Sequence, residues 1–134
     1  MIETAKSNNR INQLFLKNCR INNKLLGRIG QAVMKNDTLR LLDLSDNYFD
    51  HEGLSSFMPC LYDNNVLGSL VLDGNALRGE GFKSIRKARF LKKLNLEQCD
   101  LENEEIEHVC WLISEYSQLN YLDLSYNKVN LAST

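Results

Sequence analysis

The seven residues LLDLSDN at Leu41–Asn47 return as YLDLSYN at Tyr121–Asn127, and five of the seven letters are shared. Three more copies line up on them. The five stretches are INQLFLKNCRI (Ile11–Ile21), LRLLDLSDNYF (Leu39–Phe49), LGSLVLDGNAL (Leu67–Leu77), LKKLNLEQCDL (Leu91–Leu101) and LNYLDLSYNKV (Leu119–Val129). Each fits L-x-x-L-x-L-x-x-N/C-x-L, and all twenty positions of the four leucine columns are apolar. The Asn/Cys column falls at Cys19, Asn47, Asn75, Cys99 and Asn127, at intervals of 28, 28, 24 and 28 residues. Such a period restricts the chain to a stack of like units. One unit cannot bury its own leucines, whereas five stacked units share a continuous core.

The pattern dictates local structure. Leu42 and Leu44 alternate with period two and so share one face of a short strand, as do Leu14/Leu16, Leu70/Leu72, Leu94/Leu96 and Leu122/Leu124. Parallel neighbours need long crossovers, and the connectors carry helical spacing. Leu25, Ile29 and Val33 form one stripe; Leu54, Phe57, Met58 and Leu61 a second; Ile106, Val109, Cys110 and Ile113 a third. Pro59 is expected to shorten or kink the second helix. Asn103 reads as the cap of the third, with Glu104 and Glu105 in its first turn. The connector around Phe82 and Ile85 is four residues shorter than the others and has room for two turns. The Asn/Cys column is expected to be structural, because an Asn amide both donates and accepts where the chain turns out of a buried strand. Cys19 and Cys99 then sit in turns, and Cys60 and Cys110 in the core on the helical side.

Composition excludes several classes of function. A length of 134 residues allows one domain, spanning 1–134. The net charge of −1 provides no global pull towards nucleic acid or an anionic membrane. No stretch approaches the ~20 apolar residues that cross a bilayer, and MIETAKSNNR lacks the apolar core of a signal peptide. Four cysteines without a C-x-x-C pair read as reduced thiols in a cytoplasmic protein.

The five copies resemble the leucine-rich-repeat family, in particular its ribonuclease-inhibitor-like class, with repeats near 28 residues and a helix in each connector. The resemblance covers Ile11 to Val129. It implies an α/β right-handed solenoid with a five-stranded parallel sheet on the concave face and helices on the convex face. It also implies a non-catalytic protein-binding module, and small members of the class act by covering an enzyme's active site. Brevity, 16 asparagines and a single proline also resemble leucine-rich-repeat effectors of intracellular bacteria, whose partner would be a host protein, an enzyme among the candidates, or a sister effector in the host cytosol. Two features depart from the class. Met1–Arg10 reads as a frayed terminal helix rather than a cap. The chain stops at NLAST, before a fifth connector helix, as a fragment or a partner-covered end would.

Between the inward leucines, the varying letters point out onto the sheet face. They are Gln13, Phe15, Lys17 and Asn18; Leu41, Asp43, Ser45 and Asp46; Ser69, Val71, Asp73 and Gly74; Lys93, Asn95, Glu97 and Gln98; and Tyr121, Asp123, Ser125 and Tyr126. Five acids (Asp43, Asp46, Asp73, Glu97, Asp123) stand against two lysines (Lys17, Lys93), and Phe15, Leu41, Val71, Tyr121 and Tyr126 supply large apolar groups. Apolar anchors in a charged surround have the character of a protein interface. With Asn95, these residues form the candidate site. On the helical side Lys83, Arg86, Lys87 and Arg89, with Lys92 and Lys93 beyond, form a basic cluster that reads first as a solvated face and second as a contact for nucleic acid or an acidic partner.

No catalytic constellation emerges. His51 and His108 lie in different connectors without metal-ligand spacing. There is no phosphate-binding loop, and Gly79-Glu80-Gly81 reads as a turn into the short helix. No cofactor, metal or small-molecule substrate is expected, and an acidic sheet face disfavours nucleic acid. GTPase-activating members of the class use polar, often Arg-bearing loops; the post-strand positions Asn18, Asp46, Gly74, Gln98 and Tyr126 hold no Arg, and Arg20 and Arg78 nearby are isolated. A structural fragment of a longer repeat protein and a GTPase-activating-type leucine-rich-repeat protein are the alternatives.

Overall fold

The computed structural model describes residues 10–115 and 118–130, so the reading of a frayed helix in Met1–Arg10 falls almost wholly outside the described residues. Five three-residue strands, β1 (Gln13–Phe15), β2 (Leu41–Asp43), β3 (Ser69–Val71), β4 (Lys93–Asn95) and β5 (Tyr121–Asp123), form one parallel sheet in chain order. Pairing places Leu14, Leu42, Leu70, Leu94 and Leu122 in one inward row. The connectors carry α1 (Asn23–Lys35), α2 (His51–Phe57), a 3-10 helix over Glu80–Lys87, and α3 (Asn103–Glu115). As Pro59 requires, α2 gives way at Phe57 to a 3-10 turn, Met58–Leu61. The leucine-rich-repeat architecture expected from the sequence is therefore present.

The core lies between sheet and helices. Leu42, Leu44, Leu70, Leu72, Leu94 and Leu96 are fully buried against Leu26, Phe57, Phe82, Ile85 and Leu112. Each such side chain contributes about 1.5–3 kcal/mol relative to exposure. Leu14, Leu16, Leu122 and Leu124 in the end repeats are only partly buried among the described residues.

Two helical stripes are rotated from their sequence readings. In α1 the buried residues are Leu26, Gly30 and Val33, while Leu25 is exposed. The Asn22 side chain accepts the Leu25 N–H and starts the helix there. Glycine at 30 lets α1 approach α2 and the turn beyond it, since a Cβ there would lie 3.1 Å from Phe57 and 3.0 Å from Cys60. A stripe that contains glycine carries no apolar signal at that position. In α3 the buried residues are Glu105, Val109 and Leu112, and Cys110 and Ile113 face outward. The α3 cap is not Asn103. Glu105 reaches back to accept the Glu102 N–H at 2.9 Å, which is the capping-box arrangement, and its second oxygen receives the Gly79 N–H of the previous repeat.

The Asn/Cys column is a ladder. Asn47 donates to the carbonyls of Leu16 and Leu44, and its Oδ1 accepts from Cys19 and Ile21. Asn75 donates to Leu44 and Leu72 and accepts from the Asn47 N–H. Asn127 holds the carbonyls of Leu96 and Leu124 and the N–H groups of Cys99 and Leu101. Cys99 takes its own place by donating Sγ–H to Leu72 O. Cys19, in the first repeat, is exposed rather than sunk in a turn core.

A second set of links runs along the helix starts. Asn23 exchanges hydrogen bonds with Asp50, Asn103 exchanges them with the Asn130 backbone, and His51 Nδ1 accepts the Gly81 N–H. His51 is thus a structural residue. The Gly79–Gly81 segment is the turn foreseen, with Gly79 at φ +145° and His51 packed where a side chain on Gly79 would stand.

Candidate protein-binding surface

Strand register sets the sheet face in rows. Gln13, Leu41, Ser69, Lys93 and Tyr121 form one, and Phe15, Asp43, Val71, Asn95 and Asp123 the next. Backbone bonds continue past the strands, from Asp46 to Asp73 and from Gln98 to Ser125, so the post-strand residues stay in register. Phe15, Lys17, Asp46, Lys93, Tyr121 and Tyr126 are exposed, and Leu41, Asp43, Val71, Asp73, Asn95, Glu97 and Asp123 are half-buried. Ser45 does not face outward as read. It is buried, with its hydroxyl on Asp43 Oδ1 at 2.7 Å.

Three candidate residues also close turns. Asp43, Asn95 and Asp123 each accept the backbone N–H two residues on, from Ser45, Glu97 and Ser125. Short polar side chains supply such turns readily. Hydrogen bonds from the Ser125 hydroxyl and then from its N–H hold the Asp123 carboxyl below its ordinary range.

All five post-strand positions adopt left-handed backbone, with φ of 54° at Asn18, 54° at Asp46, 76° at Gly74, 53° at Gln98 and 60° at Tyr126. Glycine and asparagine take this conformation at least cost, while other residues lose about 1–2 kcal/mol. Tyr126 holds it with 80% of its surface exposed. Gly74 leaves room for the Asp46 carboxylate, which occupies the space of the missing Cβ.

Three of the five acids, Asp43, Asp46 and Asp73, lie together on the second and third repeats. Burial first, then the charges of Asp46 and Asp43, pushes the Asp73 carboxyl above its ordinary value, against the pull of Lys17. Lys17 lies 4.0 Å from Asp46. Leu41, Val71, Lys93, Asn95 and Tyr121 meet around one depression of 210 Å³ on the sheet. Asp46 and Tyr126 border a second, of 360 Å³, with Gln98, Asp100 and Lys128 along the loop edge. Phe15 and Lys17 line neither. Tyr48, 65% exposed just after the ladder Asn47, went unnoticed in the sequence, where its only signal is an aromatic next to the Asn column. Asp100 and Lys128 likewise fell outside the strand letters, and they pair at 2.8 Å.

Among the described residues, no group of three His, Cys, Asp or Glu side chains is placed to hold a metal ion, and no helix is long and apolar enough to cross a membrane.

Residues 35–58, which contain the second copy, match the family described as Leucine Rich repeat. No curated protein gives a significant match. Among solved structures, leiomodin-1 actin-binding site 2 (ABS2) superposes with a TM-score of 0.74 at 22% identity, over 98% of this chain and 79% of that one. The likeness shows the fold, a leucine-rich-repeat domain of α/β type.

Proposed function

We propose that this chain is a non-catalytic protein-binding module of the ribonuclease-inhibitor-like class, which seats its partner on the sheet face and the adjoining post-strand edge. The carrying observation is the exposure of Phe15, Tyr121 and Tyr126, at 62%, 50% and 80%, on a surface with an apolar floor at Leu41 and Val71 and acids between them. Exposed aromatics over an apolar floor are the usual anchors of a protein interface. Five strands at ~4.8 Å span about 24 Å, enough for one patch of roughly 800 Å² per partner. A partner enzyme with a basic cleft would be inhibited by occlusion, since the surface presents carboxylates. The four free thiols support a reducing, cytoplasmic setting.

The test is affinity capture on wild type beside a Tyr121→Ala/Tyr126→Ala variant, with circular dichroism to confirm that both fold. A protein held by wild type and lost by the variant supports the reading, and its activity with and without this chain then tests inhibition. Purified actin belongs in the same experiment, because the leiomodin-1 domain of like fold is an actin-binding site. Equal capture by both proteins would remove the sheet face as the interface.

A further inference from the structure

The helical face carries a groove of 620 Å³ between α2 with its following turn on one side and α3 on the other, floored by the 3-10 helix Glu80–Lys87. The groove follows from the one short interval in the repeat pattern, 24 residues where the others have 28. A connector four residues shorter forms a short 3-10 helix between two repeats that carry α-helices. Its lining includes Lys83, Arg86 and Lys87, with Tyr62, His108 and Trp111, and no carboxylate.

The cations are oriented without being neutralised. The Arg86 guanidinium stacks 4.5 Å from the Trp111 ring centroid and donates from Nε to His108 Nδ1 at 3.1 Å. Lys87 Nζ lies 5.2 Å from the Tyr62 ring centroid. Among the described residues, no salt bridge is formed by Lys83, Arg86 or Lys87, whereas Arg89 just outside pairs with Asp63 at 3.2 Å. Stacking on a ring fixes a guanidinium and leaves its charge uncompensated.

We infer that this groove is a second docking site, for an acidic peptide segment that also carries apolar side chains, on a partner protein distinct from the one seated on the sheet. Charge complementarity to three unpaired cations selects the acid, and the Tyr62 and Trp111 walls select the apolar part. An extended segment fits between the two helical walls that line the groove. Nucleic acid fits less well. It needs a basic track, and here the floor helix begins at Glu80, beside Glu102, Glu104 and Glu107 on the next repeat.

The experiment screens a library of labelled peptides, varied in the number and spacing of Asp, Glu, Leu, Phe and Trp, against wild type, Lys83→Glu/Lys87→Glu, and the sheet-face variant Tyr121→Ala/Tyr126→Ala. Lys83 and Lys87 are exposed, so the reversal leaves packing alone. Wild type is expected to retain peptides combining acids with an aromatic or leucine, with affinity falling as salt rises. Lys83→Glu/Lys87→Glu is expected to bind them about tenfold more weakly or not at all, and the sheet-face variant as wild type does. The inference is overturned if no peptide class is enriched, if the charge reversal leaves binding unchanged, or if a single-stranded oligonucleotide of equal charge displaces the peptides at lower concentration than they bind. Loss only in the sheet-face variant would place the peptide on the other surface.

Discussion

The backbone N–H of Asn47 donates to the side-chain oxygen of Asn75 at 2.9 Å, across 28 residues of chain. The same Asn75 amide holds the carbonyls of Leu44 and Leu72, so one buried side chain satisfies three backbone groups in two repeats. Asn75→Ala strands the Asn47 N–H away from water and leaves the carbonyls of Leu44 and Leu72 with one partner each, Asn47 Nδ2 and Cys99 Sγ. An orphaned buried N–H costs about 1–3 kcal/mol, so with two weakened carbonyls beside it a loss of roughly 2–4 kcal/mol is expected in urea unfolding. Asn127→Ala, half-buried in the last repeat, is expected to lose less. Equal losses would show that the ladder does not depend on burial.

Tyr126 stands in left-handed backbone that asparagine tolerates better than tyrosine. Tyr126→Asn is expected to raise stability by about 0.5–1 kcal/mol in thermal melts while weakening partner binding by about 2 kcal/mol. Opposite signs for the two readouts are the signature of a residue kept for contact. A variant that lost stability and kept affinity would assign Tyr126 to the scaffold.

Asp73 gives a pH dependence of defined sign. Its carboxyl is raised above 3.8 in the folded chain, first by burial and then by Asp46 and Asp43, so folding favours the protonated form. The ionised form therefore subtracts stability, and the subtraction grows as pH rises through 3.8 and past the folded value. Asp73→Asn is expected to melt higher than wild type at neutral pH, with the gap closing below 3.8. Asp50 and Asp100, both lowered, lose stability as pH falls, and they do so equally in the two proteins. A gap independent of pH would mean that the Asp73 carboxyl is not raised in the folded chain.

The four thiols should separate by reactivity. Cys19 and Cys110 are exposed, while burial pushes the Cys99 thiol up to about 12 and raises that of Cys60. Mass spectrometry after brief alkylation of the folded protein is expected to find adducts on Cys19 and Cys110, fewer on Cys60, and none on Cys99 until denaturant is added. Early labelling of Cys99 would show that the fourth turn opens.

The sequence displayed what repeats and concealed what happens once. The inward leucines, the ladder and the short third connector were legible because five copies average out local noise. The stripe of α1 was misplaced because Gly30 stands in it, and the stripe of α3 because a buried Glu105 does. Neither residue registers as apolar. On the sheet face the strand letters were placed correctly, but Ser45 turned inward and Asp43, Asn95 and Asp123 took on turn duties that only hydrogen bonds reveal. Asparagine abundance has a local explanation too. Asn22, Asn23, Asn36, Asn47, Asn64, Asn75, Asn103 and Asn127 all hold backbone groups at turns or helix starts. With Asn95, which holds the Glu97 N–H, that accounts for nine of the 16.

The left-handed turn after every strand bears on how such a surface changes over generations. Asn, Asp, Gly, Gln and Tyr occupy that one position with φ confined between 53° and 76°. The backbone there answers to the ladder beneath it and not to the side chain above. Recognition can therefore drift one substitution at a time, each trial costing at most a kilocalorie or two, while strand register and leucine packing stay untouched. A lineage built this way can exchange partners without passing through an unfolded ancestor.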